Sequence, residues 1–229
     1  MPQERSPAVD NKQCLLLHGF TGGPYEVTPL ADHLAELGMT CHVPVLPGHD
    51  PELRTLGQVS WRDWLEGASQ EADRLTKRHG RIDLVGFSMG GLLAAYLANR
   101  FPVRRLVLLN AAVFYFSPQR FIKDIRRRIK LRDWAFWDWK IKKTPLPATL
   151  QFVTLNRRMR PELSKIEVPT LIAQGARDPI IHPKSAIYLY QHVKGEKELH
   201  VFPNTRHMIC LEPEAPIVFA AVAQFLDKP

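Results

Sequence analysis

The sequence predicts an α/β fold in which helices cover both faces of a mostly parallel central sheet. Short apolar runs alternate with longer segments of helical apolar spacing, a pattern typical of parallel strands joined by crossover helices. A serine flanked by glycines, in the GFSMG sequence at residues 86–90, lies between one apolar run and the helical segment that follows it. One long interruption, residues 113–165, differs in composition from its surroundings. Together these observations predict one α/β core with an inserted subdomain.

The predicted strands are short apolar runs bounded by charged or turn-forming residues. They are residues 13–17, 40–45, 81–85, 105–109, 169–173 and 197–202. The intervening segments have the length and apolar spacing of crossover helices, and right-handed crossovers would place them on both faces of the sheet. These predicted helices are residues 25–37, 61–78, 89–100, 183–192 and 213–226.

The overall composition favours a soluble, cytoplasmic protein. The chain has 229 residues, of which 45% are hydrophobic, and this supports a substantial core. Residues 1–12 are polar and lack the apolar core of a secretory signal. The apolar runs are short and separated by charges, so we predict no integral membrane segment.

The interruption at residues 113–165 carries the basic excess of the chain. It holds 14 Lys and Arg against four Asp and Glu, whereas the net charge of the whole protein is +8. Phe121, Ile125 and Ile129 form one helical stripe, and an aromatic cluster that includes Trp134 and Trp137 follows. We therefore predict a core of residues 1–112 and 166–229, with a helical cap between the two parts. The aromatic side chains either bury this cap against the core or line a substrate pocket, with Trp134 and Trp137 as the candidate substrate contacts.

The charge of the cap suggests a second, non-enzymatic interpretation, in which the cap docks on an anionic membrane or on nucleic acid. Its charges alternate with apolar residues, as on a solvated helical face, and no nucleic-acid-binding module is recognisable. We therefore predict no nucleic-acid partner, and at most a weak attraction to anionic surfaces.

Ser88 is predicted to be a nucleophile, since GxSxG is the sequence of a sharp strand-to-helix turn that exposes a serine hydroxyl. Such a turn needs neighbours with almost no side chain. The amino end of the following helix also favours an anion formed near the serine. The structural alternative is a glycine-rich helix start that serves close packing alone.

A nucleophilic serine needs a histidine as base and a carboxylate that orients the histidine. In a parallel sheet, such groups gather where the strands end. Asp178 follows the fifth predicted strand and His207 follows the sixth, in the chain order serine, acid, histidine. Taken singly, Asp178 is also a common type of turn-capping residue and His207 a common type of packing residue. Glu212 is the reserve acid, and the weaker histidine candidates are His182, His192 and His200.

Two backbone N–H groups are predicted to stabilise an oxyanion. One belongs to Met89, the residue after the serine, and the other to Phe20, in a glycine-rich turn after the first strand. One donor of this kind is worth about 3 kcal/mol of barrier. This turn can also be purely structural, and His18 is predicted to position it rather than to act in catalysis.

No metal ion or cofactor is predicted. The histidines show no HExxH pattern, and the sequence has neither a phosphate loop nor a dinucleotide fingerprint. Cys14, Cys41 and Cys210 are odd in number and form no CxxC pair, which favours small hydrophobic fillers over disulfides or zinc ligands.

Several motifs outside the cap form a recognisable set. They are LLLHGFTG at residues 15–22, PGH at 47–49, GFSMGG at 86–91, ARD at 176–178, and the late His207. In these motifs the sequence resembles the serine α/β-hydrolases, and among them the small bacterial carboxylesterases and monoacylglycerol lipases. The resemblance covers essentially the whole chain outside the cap. The chain differs from the family in its unusually basic cap. It also starts directly at the HGF strand, so we expect the first strands of the family to be missing or shortened.

The resemblance implies an α/β-hydrolase fold with a small helical cap after the fourth recognisable strand. It also implies a triad of Ser88, His207 and Asp178, an oxyanion hole formed by Phe20 and Met89, and a cap over an acyl-binding pocket. The expected activity is hydrolysis of short- to medium-chain acyl esters of small molecules through an acyl-enzyme. Thioesters, lactones or amides would use the same triad and remain alternative substrates.

Overall fold

The computed structural model of the protein describes residues 12–114 and 144–228. Its strands are β1 (Gln13–Leu17), β2 (Thr40–His42), β3 (Ile82–Phe87), β4 (Val103–Leu109), β5 (Thr170–Gly175) and β6 (Lys197–Phe202). All neighbouring pairs are parallel, and the strands lie in the order β2-β1-β3-β4-β5-β6. The predicted parallel sheet is therefore confirmed.

Helices cover both faces of this sheet. They are α1 (Thr28–Glu36), α2 (Trp61–His79), α3 (Met89–Ala98), α4 (Leu146–Leu163), α5 (Lys184–His192) and α6 (Ala215–Asp227). Buried side chains of α1 and α6 share one hydrophobic core, and those of α2, α3, α4 and α5 share the other.

Successive side chains along a strand point alternately into the two cores. In β1, Leu15 and Leu17 lie in the core beneath α2 and α3, whereas Cys14 and Leu16 lie in the core beneath α1 and α6. The same period of two recurs in β3 and β4. Because both faces are covered, these strands are mostly apolar on both faces, which is why they were recognisable as apolar runs.

Some boundaries differ from the predicted ones. The second strand ends at His42 rather than at residue 45, because Pro44 cannot donate a ladder hydrogen bond. The third strand continues to Phe87 and so includes the first two residues of the GFSMG motif. The first predicted helix begins at Thr28, after a separate 3-10 turn at Pro24–Glu26.

Helix α4 comes from the second part of the predicted cap segment. It packs against α3 through buried side chains that include Leu155, Met159 and Leu163. The predicted stripe of Phe121, Ile125 and Ile129 lies outside the described residues, as does the aromatic cluster. In the ranges 12–114 and 144–228, no helix combines the length and apolarity needed to cross a bilayer.

The contact between α3 and α4 ends in a group of charged side chains. Glu162 accepts hydrogen bonds from Arg100 Nη1 at 2.7 Å, Lys165 Nζ at 3.0 Å and Asn99 Nδ2 at 3.1 Å. These donors, with Arg100 the largest contributor, lower the pKa of Glu162 to about 2. The Glu162 side chain is only 10% exposed, and its bonds to Arg100 and Asn99 link α4 to the end of α3.

We expect Glu162→Gln to lower the free energy of unfolding by about 1 to 2 kcal/mol at neutral pH, because charge-assisted bonds are lost. The pKa of Glu162 is depressed in the folded protein, so the stabilisation is fully present above pH 4.5, the ordinary pKa, and disappears as the pH falls toward about 2. Urea unfolding of both proteins across this range measures the difference. Glu71→Gln, which removes a more exposed pair with Arg74, is the control. A wild-type advantage over Glu162→Gln that is the same at every pH would contradict this explanation.

Candidate active site

The predicted site residues come from the loops that follow the carboxyl ends of the strands. In a parallel sheet these ends all lie on the same side. The strand register aligns these ends, so that the segments following β1, β3, β4, β5 and β6 leave the sheet side by side. The aligned pairs are Leu17 with Gly86, Phe87 with Leu109, Leu109 with Ala173, and Gly175 with Phe202. This alignment brings together residues that are far apart in the sequence.

Ser88 lies in the turn between β3 and α3 with φ 53° and ψ −114°. This left-handed backbone conformation is strained for a residue with a side chain. The two flanking glycines are required by close packing, since a Cβ on Gly86 would overlap Gly90, and a Cβ on Gly90 would overlap the carbonyls of Leu17 and His18. The Ser88 N–H donates to the Leu109 carbonyl at 2.9 Å. The turn is therefore the sharp strand-to-helix turn that the sequence predicted.

His207 and Asp178 form a buried hydrogen-bonded pair. His207 Nδ1 lies 2.8 Å from Asp178 Oδ2. Asp178 Oδ1 accepts from the backbone N–H groups of Ile180 at 2.8 Å and Ile181 at 2.9 Å. Because an ionised carboxylate can only accept, Nδ1 carries the proton, and in the neutral imidazole Nε2 keeps its lone pair. These hydrogen bonds thus fix the orientation of the imidazole.

The imidazole of His207 lies next to the serine turn. Its ring centroid is 5.0 Å from that of Phe87, the residue immediately before Ser88. Ser88 and His207 are both buried, with exposed fractions of 6% and 7%. Both side chains are therefore screened from bulk water, which strengthens electrostatic interactions between them.

The turn after β1 also lies next to Ser88. A Cβ on Gly19 would lie 3.3 Å from Ser88 Cβ, so the backbone that leads into Phe20 lies against the serine. His18 holds this turn in place, since its Nε2 accepts the Leu46 N–H at 3.0 Å and its Nδ1 donates to the Gly19 carbonyl at 2.9 Å. Both ring nitrogens of His18 are thus engaged in positioning.

Glu26 is a site residue that the sequence analysis missed. Its carboxylate is buried beneath the glycine turn, where Oε2 accepts the Gly19 N–H at 2.9 Å. A Cβ on Gly22 would overlap this carboxylate. Gly22 therefore leaves the room that lets a buried acid hold the loop. An acidic residue in the first turn of a predicted helix is ordinary in sequence, so no pattern distinguished it.

Asn110 is a second missed residue, and it joins three segments of the site. Its side-chain oxygen accepts the Gly175 N–H at 2.7 Å. Its amide donates to the carbonyls of Arg206 at 3.1 Å and His207 at 2.8 Å. It is fully buried and has φ 44°, a conformation that asparagine tolerates better than most residues. A polar residue directly after the fourth apolar run was the signal that could have revealed it.

Helix α4 is connected to the serine turn through the backbone after β4. The Ala112 N–H donates to the Ser88 carbonyl at 3.1 Å. The Asn156 amide of α4 donates to the Ala112 carbonyl and, at 3.2 Å, to that of Val113. Arg160, one turn further along, donates to the Val113 carbonyl at 3.0 Å. Helix α4, which belongs to the predicted cap segment, thus binds the backbone segment that contacts the Ser88 carbonyl.

Apart from Met89, the other candidates lie elsewhere or outside the described residues. Glu212 pairs with Arg206 at 3.3 Å rather than with the buried histidine. Met89 is the first residue of α3.

The weaker histidine candidates have partners of their own. The ring of His192 stacks on Tyr188, and His200 lies 3.6 Å from Glu198. His182 Nδ1 accepts the Lys184 N–H at 3.0 Å. Trp134 and Trp137, the predicted substrate contacts, fall outside the described residues.

Comparison with known proteins finds a matching family and similar bacterial enzymes. A model of the alpha/beta hydrolase family matches residues 14–222. The chain is 29% identical to a thermostable monoacylglycerol lipase of Bacillus sp. (strain H-257), covering 93% of this chain and 90% of the lipase. It is 27% identical to a carboxylesterase of Bacillus subtilis (strain 168), covering 95% and 93% of the two chains.

Solved structures show the same fold. A structure of the metagenome-derived lipolytic enzymes LipS and LipT superposes with a TM-score of 0.79 at 23% identity, covering 95% of this chain and 94% of the other. The monoacylglycerol lipase of Paleococcus ferrophilus gives a TM-score of 0.71 at 18% identity, with 93% of each chain covered.

We expect Asn110→Ala to lower the free energy of unfolding by about 2 to 4 kcal/mol, because a buried N–H and two buried carbonyls lose their partner. Asn204→Ala is the matched control, since Asn204 lies in the loop before His207 but is exposed, and its effect should stay within about 0.5 kcal/mol. Urea unfolding measures both. Equal effects of the two substitutions would show that Asn110 does not hold the three segments together.

Proposed function

Because the chain belongs to the alpha/beta hydrolase family, we propose that it is a serine carboxylic ester hydrolase with Ser88, His207 and Asp178 as its catalytic triad. The observation that carries this proposal is the buried His207–Asp178 hydrogen bond beside the strained Ser88 turn. An oriented imidazole next to a serine at a helix N-terminus is the arrangement that activates a hydroxyl for attack on a carbonyl.

In the proposed mechanism, Ser88 Oγ attacks the ester carbonyl carbon while His207 Nε2 takes the hydroxyl proton. The proton then passes from His207 to the leaving alcohol as the ester C–O bond breaks, which leaves an acyl-enzyme. A water molecule attacks this acyl group, with His207 again as base, and releases the acid and free Ser88. Asp178 keeps the proton of the neutral imidazole on Nδ1 and stabilises the imidazolium formed in each step.

The oxyanion of the tetrahedral intermediate is proposed to accept hydrogen bonds from the N–H groups of Phe20 and Met89. Two features support these donors. Met89 begins α3, so its N–H belongs to the helix end that favours negative charge. Phe20 follows the glycine turn that lies against Ser88, and His18 and Glu26 fix that turn from below. Backbone donors held in this way need little reorganisation during the reaction.

The proposed substrates are small acyl esters with short to medium chains. The two Bacillus relatives are named as a monoacylglycerol lipase and a carboxylesterase, which favours an ester. The Phe20 ring stacks on Phe152 of α4 with centroids 4.9 Å apart, and Trp64 meets Phe20 edge-on at 5.7 Å. Aromatic side chains packed this tightly beside the proposed oxyanion donor restrict the space for a long acyl chain.

We expect Ser88→Ala to reduce hydrolysis of a short-chain p-nitrophenyl ester by at least about 10³-fold, with unchanged folding. Asp178→Asn should reduce kcat by about 10³- to 10⁴-fold, because an amide that donates to Nδ1 places the imidazole proton on Nε2. Steady-state kinetics with circular dichroism as a folding check measures both effects.

Glu212→Gln is the matched control for the acid, because Glu212 pairs with Arg206 and not with His207. It should retain close to wild-type kcat. Turnover by Ser88→Ala at the wild-type rate would refute the nucleophile. A large loss in Glu212→Gln with a small loss in Asp178→Asn would reassign the acid.

The acyl preference can be measured with p-nitrophenyl esters from acetyl to palmitoyl. We expect kcat/KM to be highest for short and medium chains and to fall by about tenfold or more toward palmitoyl, because each additional methylene lacks a site to fill. Phe152→Ala, which removes one ring of the stack, should shift the optimum to longer chains. A maximum at palmitoyl in the wild-type protein would contradict the proposed preference.

A further inference from the structure

Cys14 and Cys41 lie side by side on neighbouring strands. Cys14 is in β1 and Cys41 is in β2, and the two are aligned Cα partners in the parallel ladder. Cys14 belongs to the core beneath α1 and α6, and Cys41 packs against the same core, so both side chains lie on one face of the sheet. Strand β2 is at the edge of the sheet, so Cys41 is half-buried while Cys14 is buried. From the sequence, both were predicted to be hydrophobic fillers, because the cysteines are odd in number and no CxxC spacing links them.

We propose that Cys14 and Cys41 form a redox-active dithiol that is converted to a disulfide by peroxides. Neighbouring strands are about 4.8 Å apart, and the Cα atoms of disulfide-bonded cysteines are usually about 4.4 to 6.8 Å apart. Side chains at aligned positions of a parallel pair point to the same face of the sheet. The backbone therefore holds the two sulfur atoms within bonding reach without a large movement.

The two thiols have different roles in this reaction. The adjacent Cys14 thiol is the main cause that lowers the pKa of Cys41. The adjacent Cys41, followed by burial, raises the pKa of Cys14. The nearby carboxylates of Asp32 and Asp83 repel the Cys41 thiolate and so raise the pKa of Cys41. Asp83 is itself paired with Arg104 at 2.6 Å. Cys41, the more exposed of the two, is thus the attacking thiolate, and the buried Cys14 is the resolving thiol.

The reaction balances with hydrogen peroxide as the oxidant. The Cys41 thiolate attacks one peroxide oxygen, the O–O bond breaks, and the released hydroxide takes up a proton to give water and a Cys41 sulfenic acid. Cys14 then loses its proton and attacks the sulfenic sulfur, whose S–O bond breaks to release a second water. Two thiols lose two electrons, and one peroxide is reduced to two waters.

Cys210 provides an internal control. It is also buried and free, but it lies in the loop after His207, and burial raises its pKa to about 12. A thiol of this kind is almost entirely protonated at neutral pH and reacts slowly. The three cysteines of the chain therefore include a reactive pair and an inert single thiol, which can be compared in one sample.

Peptide mapping of the peroxide-treated, full-length protein tests the proposal. We expect one intramolecular disulfide that links the peptides of Cys14 and Cys41, reversed by dithiothreitol. We also expect iodoacetamide to alkylate Cys41 about tenfold or more faster than Cys210 in the untreated protein. Cys41→Ser and Cys14→Ala should each abolish the disulfide, whereas Cys210→Ser should form it as the wild type does.

Several results would overturn the proposal. They are a peroxide-treated wild type in which both thiols remain free, a disulfide that involves Cys210, and oxidation of Cys41 only to sulfinic acid. The mapping of the wild-type protein is informative even if the Cys14→Ala variant fails to fold. Because the readout is thiol chemistry at the start of β1, and the proposed hydrolytic site lies beyond its other end, the test is independent of the proposed function.

Discussion

The strained backbone of Ser88 is the constraint on which the rest of the site depends. A left-handed conformation at a residue with a side chain costs about 1 to 3 kcal/mol and persists only where its surroundings impose it. Here β3 lies between β1 and β4, and both neighbours contribute. The Leu109 carbonyl of β4 binds the Ser88 N–H, and the carbonyls that end β1 press against Gly90. The turn is thus a consequence of the position of β3 in the middle of the sheet.

Buried polar side chains extend this order from the strands into the loops. Asn110 joins the ends of β4 and β5 to the backbone of His207, while His18 and Glu26 join the glycine turn to its surroundings. Each of these groups bonds to backbone atoms, which would otherwise be buried without partners. The loops around Ser88 are therefore connected by hydrogen bonds as regularly as the strands are, which favours a preorganised site.

Helix α4, in the segment after β4, contributes both to the hydrophobic core and to the hydrogen bonds around the site. Its buried face completes the core beside α3, and its polar side chains Asn156 and Arg160 bind the backbone that leads away from β4. Phe152 of the same helix stacks on Phe20 at the proposed oxyanion turn. A change in the packing of α4 would therefore reach both the serine turn and the space proposed for the acyl group.

The sequence by itself determined the α/β class, the parallel strands and the place of Ser88 between β3 and α3, because these follow from local periodicity and from glycine at fixed spacing. It also placed Asp178 and His207 just after β5 and β6. Only the tertiary structure joined those two side chains by a hydrogen bond, buried Glu26 and Asn110 at the site, and aligned Cys14 with Cys41. The physical reason is that strand register and loop hydrogen bonds join residues distant in the chain, and no local pattern of residue types encodes such contacts.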